Sequence, residues 1–365
     1  MIKLVSGEGV EMLAAAQPAE YARWESLAGG APTPDCYYRP GYAAAYEKAE
    51  PSRAIALLLP SPGGRVLVSL MVREWTPGSG GASVVDGYSP YGYGGWLPLE
   101  GAEPPLEDTL AALDRLRRWC AAQGLTCCVL RLHPLLNQVE TFARLPKRPE
   151  LVLAPSIETC AIDLGHWDEG ADRPADLAKR RRSYLSSAGR NLELRTWTGE
   201  ECVQAGCSYL REFCRLYTAD MERLNAAAFL RFPEEYFLAL ARGLGEEFML
   251  AMAFHDGKAV GGVIFFLGRD FAHYHLSTSD EEGRRLGSTA LLIVHGAQLA
   301  RARGARWLHL GGGNRPGDTL FHFKRSFGGR TWQYSTFTLI ADLPRYQALC
   351  GEPGIRWPYV RVAGR

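Results

Sequence analysis

Apolar residues gather into short runs punctuated by glycine and polar turns, and the runs alternate with one stretch of helical period in each half of the chain. In the second half, runs at 248–255 and 259–267 flank Asp256-Gly257. That dipeptide favours a tight antiparallel hairpin because both residues tolerate positive φ. Gly268-Arg269-Asp270 then leads into an aromatic-rich run at 271–277, so the pattern predicts a three-stranded meander. From 288 to 303 the spacing changes, with Leu291, Leu292, Leu299 and Ala302 near the helical period and Gly304 where a C-terminal cap belongs. A strand at 307–310 follows.

The first half repeats this order. Runs at 54–59 and 65–75 enclose a Pro-Gly-Gly turn, a third at 83–85 enters a loop rich in tyrosine and glycine, and a helix at 106–122 ends at Gly124 before a strand at 126–132. The letters themselves correspond, Ala121-Ala122-Gln123-Gly124-Leu125-Thr126 matching Ala302-Arg303-Gly304-Ala305-Arg306. The pattern predicts an α/β protein built from two copies of a strand, strand, strand, helix, strand unit. The polar stretch at 165–174 marks their junction.

Composition narrows the function classes. The 365 residues carry 41 Lys+Arg against 40 Asp+Glu, and a net charge of +1 argues against a dedicated DNA binder while leaving room for a local basic patch. No run approaches the roughly 20 apolar residues of a membrane span, and the first residues lack a secretory segment, which predicts a cytoplasmic protein without stable membrane insertion. Nine cysteines without a C-x-x-C pair predict buried thiols, with neither a disulfide scaffold nor a metal site.

Several segments could carry chemistry. Lys179-Arg180-Arg181-Arg182, followed by Arg190, is the densest positive charge; it is either a solvated helix face or a contact for phosphate or RNA. Tyr217, Asp220 and Arg223 fall three apart on a helix, so Arg223 either pairs with Asp220 or grips a phosphate. The loop from Asp86 through Tyr91 to Gly95 either packs over the core or presents tyrosines to a ligand. Gly311-Gly312-Gly313-Asn314 occupies the matching position in the second half. Lys324 lies among aromatics shortly after that loop, where an ammonium can stabilise the oxyanion formed when an amine attacks an ester or thioester. His133 stands at the equivalent strand end of the first half and is a candidate general base. The usual hydrolase, zinc-protease and dinucleotide motifs are absent from the sequence.

Taken in order, SPYGYGG at 89–95, RLHP at 131–134, YTADMERLNA at 217–226, HYHLSTS at 273–279, LHLGGG at 308–313 and FHFKRSF at 321–327 resemble the FemAB-like aminoacyltransferases. That resemblance implies two fused GNAT-like acyltransferase domains facing a shared cleft, at 1–165 (completed by 336–365) and 166–335, without the coiled-coil arm of some members. It implies transfer of an aminoacyl group from aminoacyl-tRNA to a peptide, cell-wall or small-molecule amine, with or without phosphate groups, with no other cofactor, in a monomer or weak dimer. Lys324 then sits near the reacting carbonyl, and Arg223 and Tyr274 hold acceptor phosphates. Where family members carry Asp or Glu, this chain has His133. Two rivals remain. One is an acyl-CoA N-acyltransferase, whose diphosphate loop of the form Arg/Gln-x-x-Gly-x-Gly/Ala is half matched by Arg284-Arg285-Leu286-Gly287-Ser288-Thr289. The other is a non-catalytic binding module of a polysaccharide or lipid-linked assembly pathway.

Overall fold

The computed structural model describes residues 4–77, 82–101, 104–166, 179–204, 206–313 and 315–350, with side chains in the helix that begins at Lys179 described from Tyr184 onward. The strands in chain order are β1 (Glu11–Ala14), β2 (Arg53–Ser61), β3 (Gly64–Trp75), β4 (Val84–Tyr88), β5 (Leu97–Pro98), β6 (Cys127–Arg131), β7 (Leu151–Leu153), β8 (Ile157–Asp163), β9 (Glu193–Thr198), β10 (Phe248–His255), β11 (Lys258–Leu267), β12 (Phe271–Ser279), β13 (Trp307–Gly312), β14 (Arg330–Tyr334) and β15 (Thr336–Ile340). The helices are α1 (Pro18–Gly29), α2 (Pro40–Tyr46), α3 (Leu106–Ala122), α4 (Gln138–Ala143), α5 (Lys179–Asn191), α6 (Gly199–Gln204), α7 (Ser208–Arg223), α8 (Glu234–Leu244), α9 (Glu281–Leu286), α10 (Ser288–Ala302), α11 (Thr319–Arg325) and α12 (Leu343–Leu349).

The chain divides into two units. The first holds residues 1–33, 37–156 and 333–365; the second holds Pro34–Cys36 and Ile157–Trp332. The second begins at Ile157, upstream of the polar stretch, because β8 pairs antiparallel with β13 and so joins the second sheet.

In the first unit the sheet runs β1-β2-β3-β4-β6-β15-β7, with β5 on β3. β4 and β6 are the parallel pair, as a connection through α3 requires. Leu113, Leu116 and Trp119 of α3 pack on Ile55, Leu57, Val68 and Leu70 of the meander, all buried. In the second unit the sheet runs β14-β8-β13-β12-β11-β10-β9, with β12 and β13 parallel. Here α10 lies against β11 so closely that a Cβ on Gly296 would strike the Phe265 ring. The hairpin forms as the dipeptide predicts, with Asp256 at φ 48° and Gly257 at 76° joining His255 to Lys258.

The correspondence between the halves extends to their helix ends. Gly124 and Gly304 both take positive φ after α3 and α10. Leu125 N donates to Cys120 O at 2.8 Å, and Ala305 N to Ala300 O at 3.0 Å, which is the same Schellman closure in each unit. The longest described helix, α3, has 17 residues, so no pair of long heptad helices occurs among the described residues. None of the described helices is long and apolar enough to cross a membrane.

Candidate functional site

The parallel pair in the second unit comes apart. Phe271, Ala272 and His273 face Trp307, Leu308 and His309, and there the pairing stops, although β12 continues to Ser279. Beyond His309, β13 stays with β8, pairing Gly311 with Cys160 and Gly312 with Thr159. The ammonium of Lys324 lies between the separating ends. It donates to Gly312 O at 2.8 Å and lies 5.5 Å from the centre of the Tyr274 ring on β12.

Local sequence explains how the lysine arrives there. Asp318 caps α11 by accepting from Phe321 N at 2.8 Å, and it also takes Arg315 N at 3.0 Å. A Cβ on Gly313 would overlap the Asp318 carboxylate, so this glycine lets the cap close onto the loop. α11 then buries Phe321 and, one turn on, Lys324. Burial lowers the Lys324 pKa from 10.5 to about 8, with Cys160 and Asp318 partly offsetting the shift. Beside it, burial raises the Cys160 thiol to about 11, and its Sγ lies 3.6 Å from Gly311 O. A thiol so disfavoured as thiolate is a poor nucleophile near neutrality. Tyr274 is half-buried and gives its hydroxyl to Ser277 Oγ.

The other residues singled out in the second unit are placed differently. Tyr217 is core: it stacks on Phe213 at 5.9 Å and donates to Leu230 O at 2.6 Å, so it shares no ligand face with Arg223. Arg223 pairs with Asp220 at 2.7 Å, and Arg284 approaches the same carboxylate at 3.5 Å while donating to Ser279 O at 2.5 Å. The two arginines read as phosphate ligands thus converge on one acid. Gly287 is buried and carries φ 82° between α9 and α10. Arg190 is exposed on α5. Asn314 and the side chains of Lys179, Arg180, Arg181 and Arg182 lie outside the described residues, as do 167–178 and 351–365.

In the first unit the equivalent strand ends are fastened together. Ser89 Oγ accepts from Arg131 N at 3.1 Å, Gly94 N donates to Arg131 O at 2.7 Å, and Gly94 bridges to Leu132. Tyr38 gives its hydroxyl to Gly94 O, and Gln138 Nε2 donates to Trp96 O at 2.5 Å. A Cβ on Gly92 would strike the Tyr37 ring, and one on Gly95 would strike Gln138, so these glycines serve packing instead of ligand approach. His133 is wholly buried, with the rings of Tyr93, Tyr38 and Tyr37 at 6.0, 6.3 and 6.4 Å. Asp86 is also wholly buried and accepts from Arg73 Nε and Trp75 Nε1, each at 2.8 Å. Tyr91 lies beside Arg131, whose guanidinium is 5.9 Å from its ring and donates to Tyr334 OH at 3.0 Å.

Comparisons with known proteins agree with this topology. Residues 172–325 match the model of an acetyltransferase (GNAT) domain, which makes the second unit a GNAT-type acyltransferase domain. No curated protein matches the chain. Among solved structures, FemX is similar over 90% of this chain and 98% of its own, with a TM-score of 0.68 and 13% identity. The C-terminal domain of a putative lysylphosphatidylglycerol synthetase from Agrobacterium fabrum covers 90% and 95%, with a TM-score of 0.54 and 16% identity. L-PGS from Bacillus licheniformis covers 92% and 93%, with a TM-score of 0.51 and 11% identity. The chain carries a GNAT-type acyltransferase domain in its second unit, and its fold as a whole is the tandem, FemAB-like one.

Proposed function

We propose that the protein transfers an aminoacyl group from aminoacyl-tRNA to an amine by direct attack on the ester. One observation carries this reading: a buried lysine ammonium stands between the separating ends of β12 and β13, anchored to a backbone carbonyl. One ammonium proton is engaged by Gly312 O, which leaves others to meet an oxyanion. The amine nitrogen forms the new bond to the ester carbonyl carbon, and negative charge collects on the carbonyl oxygen beside Lys324. Collapse breaks the bond to the ribose oxygen, which departs with the proton lost by the attacking amine. Lys324 must be charged to act this way, and its position supplies stabilisation worth most in a desolvated site. The raised Cys160 pKa supports a route without a covalent enzyme intermediate. The lysyl in the name of one neighbour, a putative lysylphosphatidylglycerol synthetase, supports an aminoacyl donor over a simple acyl one.

Bulk tRNA charged with labelled amino acids, incubated with the protein and a panel of amines, peptides and cell-wall precursors, tests the reading. Label moving from tRNA into an amide product, and failing to move with Lys324→Ala, is the expected result. Equal transfer by the variant removes Lys324 from the mechanism, and no transfer to any acceptor removes the tRNA donor.

A further inference from the structure

In an acyl-CoA transferase the diphosphate lies against backbone amides where the helix after the meander begins, and a glycine there lets it come close. The corresponding glycine here, Gly287, is buried. What covers it is Tyr184 of α5: a Cβ built on Gly287 would lie 2.6 Å from the Tyr184 hydroxyl and 2.7 Å from its Cε1. The open face of the glycine is therefore filled by a phenol from the same unit.

The basic residue of the half motif is withdrawn as well. Arg284 is bound to Ser279 O and lies beside Asp220, a carboxylate that Arg223 also holds. Releasing Arg284 toward a diphosphate would leave the Ser279 carbonyl to find another donor and would bring phosphate near the Asp220 carboxylate. Ser288, the first residue of α10, is fully buried and crowds Gly261 and Gly283. A recess of about 370 Å³ beside the tyrosine is lined by Tyr184, Ser187, Asn191, His255, Arg285 and Leu286.

We infer that Tyr184 excludes acyl-CoA from the second unit by occupying the diphosphate position at the start of α10, with Arg284 held away on Ser279 and Asp220. Tyr184 is then a donor-selecting residue, and its action is steric. The inference rests on the GNAT topology of the unit and not on the tRNA reading.

The test is hydrogen–deuterium exchange over residues 284–291, with and without acetyl-CoA, beside calorimetric titration of the same ligand. Wild type, Tyr184→Ala and Tyr184→Phe are compared. Alanine suits an exposed helical position, and coincident thermal melts confirm that each variant folds. The wild type and Tyr184→Phe, which keeps the ring, should show no protection over 284–291. Tyr184→Ala should become protected and bind acetyl-CoA at least about ten-fold more tightly than wild type. Protection of this segment in the wild type overturns the inference, as does its absence in Tyr184→Ala or an equal gain in Tyr184→Phe. Failure of aminoacyl-tRNA transfer, with this pattern intact, would sink the proposed function and leave Tyr184 in its role.

Discussion

The two units end their parallel strand pairs in opposite ways. In the first, the loop after β4 turns back onto β6, and Ser89 and Gly94 bond to both sides of the Arg131 backbone. In the second, β12 and β13 part after His273 and His309, and a buried ammonium stands where the fastening loop would be. One topology has thus been used once to close a sheet and once to hold a cation at its opening. A buried cation is costly, and burial pushes the Lys324 pKa down to about 8, whereas Tyr38 and Gln138 satisfy the loop of the first unit. The second arrangement sacrifices stability in a way that chemistry would justify.

The contrast can be broken in several places. The largest effect belongs to Lys324→Ala, which should lower turnover by about 10²- to 10³-fold, as loss of an oxyanion donor does, measured in the tRNA transfer assay. Ser89→Ala, at the fastened end, should leave turnover within about two-fold of wild type if only the second opening is catalytic. In the first unit, Gly95→Ala should cost about 2 kcal/mol or more in urea unfolding, because the added carbon meets Gln138 and φ is 79°.

Lys324→Met should do the reverse, stabilising the protein by about 1–2 kcal/mol while abolishing transfer, since an unfavourable buried charge is replaced by a matching apolar chain. The pH dependence fixes the sign. With the folded pKa near 8 and the ordinary value at 10.5, the folded lysine sheds its proton first, so wild-type stability should rise relative to Lys324→Met between those values. The smallest effect is expected of Arg223→Ala, whose half-exposed pair with Asp220 should be worth less than about 0.5 kcal/mol in the same unfolding assay.

Much of this was legible in the sequence because it is local. The Asp256-Gly257 hairpin, the glycines closing α3 and α10 and the doubled element order all follow from neighbouring residues. Lys324 was legible as well, through its place after the glycine loop. Long-range pairing leaves no mark in either partner's own letters: β8 crossing to β13 was not anticipated, and only the family resemblance implied that 336–365, which holds β15, completes the first unit. Nor does the sequence say which face of a helix meets the core. Tyr217 and Arg223 share helical spacing, yet Phe213 and Phe237 claim the first and solvent the second. The letters of SPYGYGG left packing and ligand approach open, and the positions of Tyr37 and Gln138 show that side chains of the same unit need the space. Tyr184 carried no signal, since its meaning depends on lying over Gly287.

The most direct test of the central claim is the pH profile of single-turnover aminoacyl transfer from charged tRNA, in wild type and Lys324→Arg. A rate that declines above about pH 8 in the wild type, with the decline moved to higher pH in the arginine variant, is what a charged Lys324 predicts. A wild-type rate that keeps rising through pH 9, or an identical decline in both proteins, would contradict it.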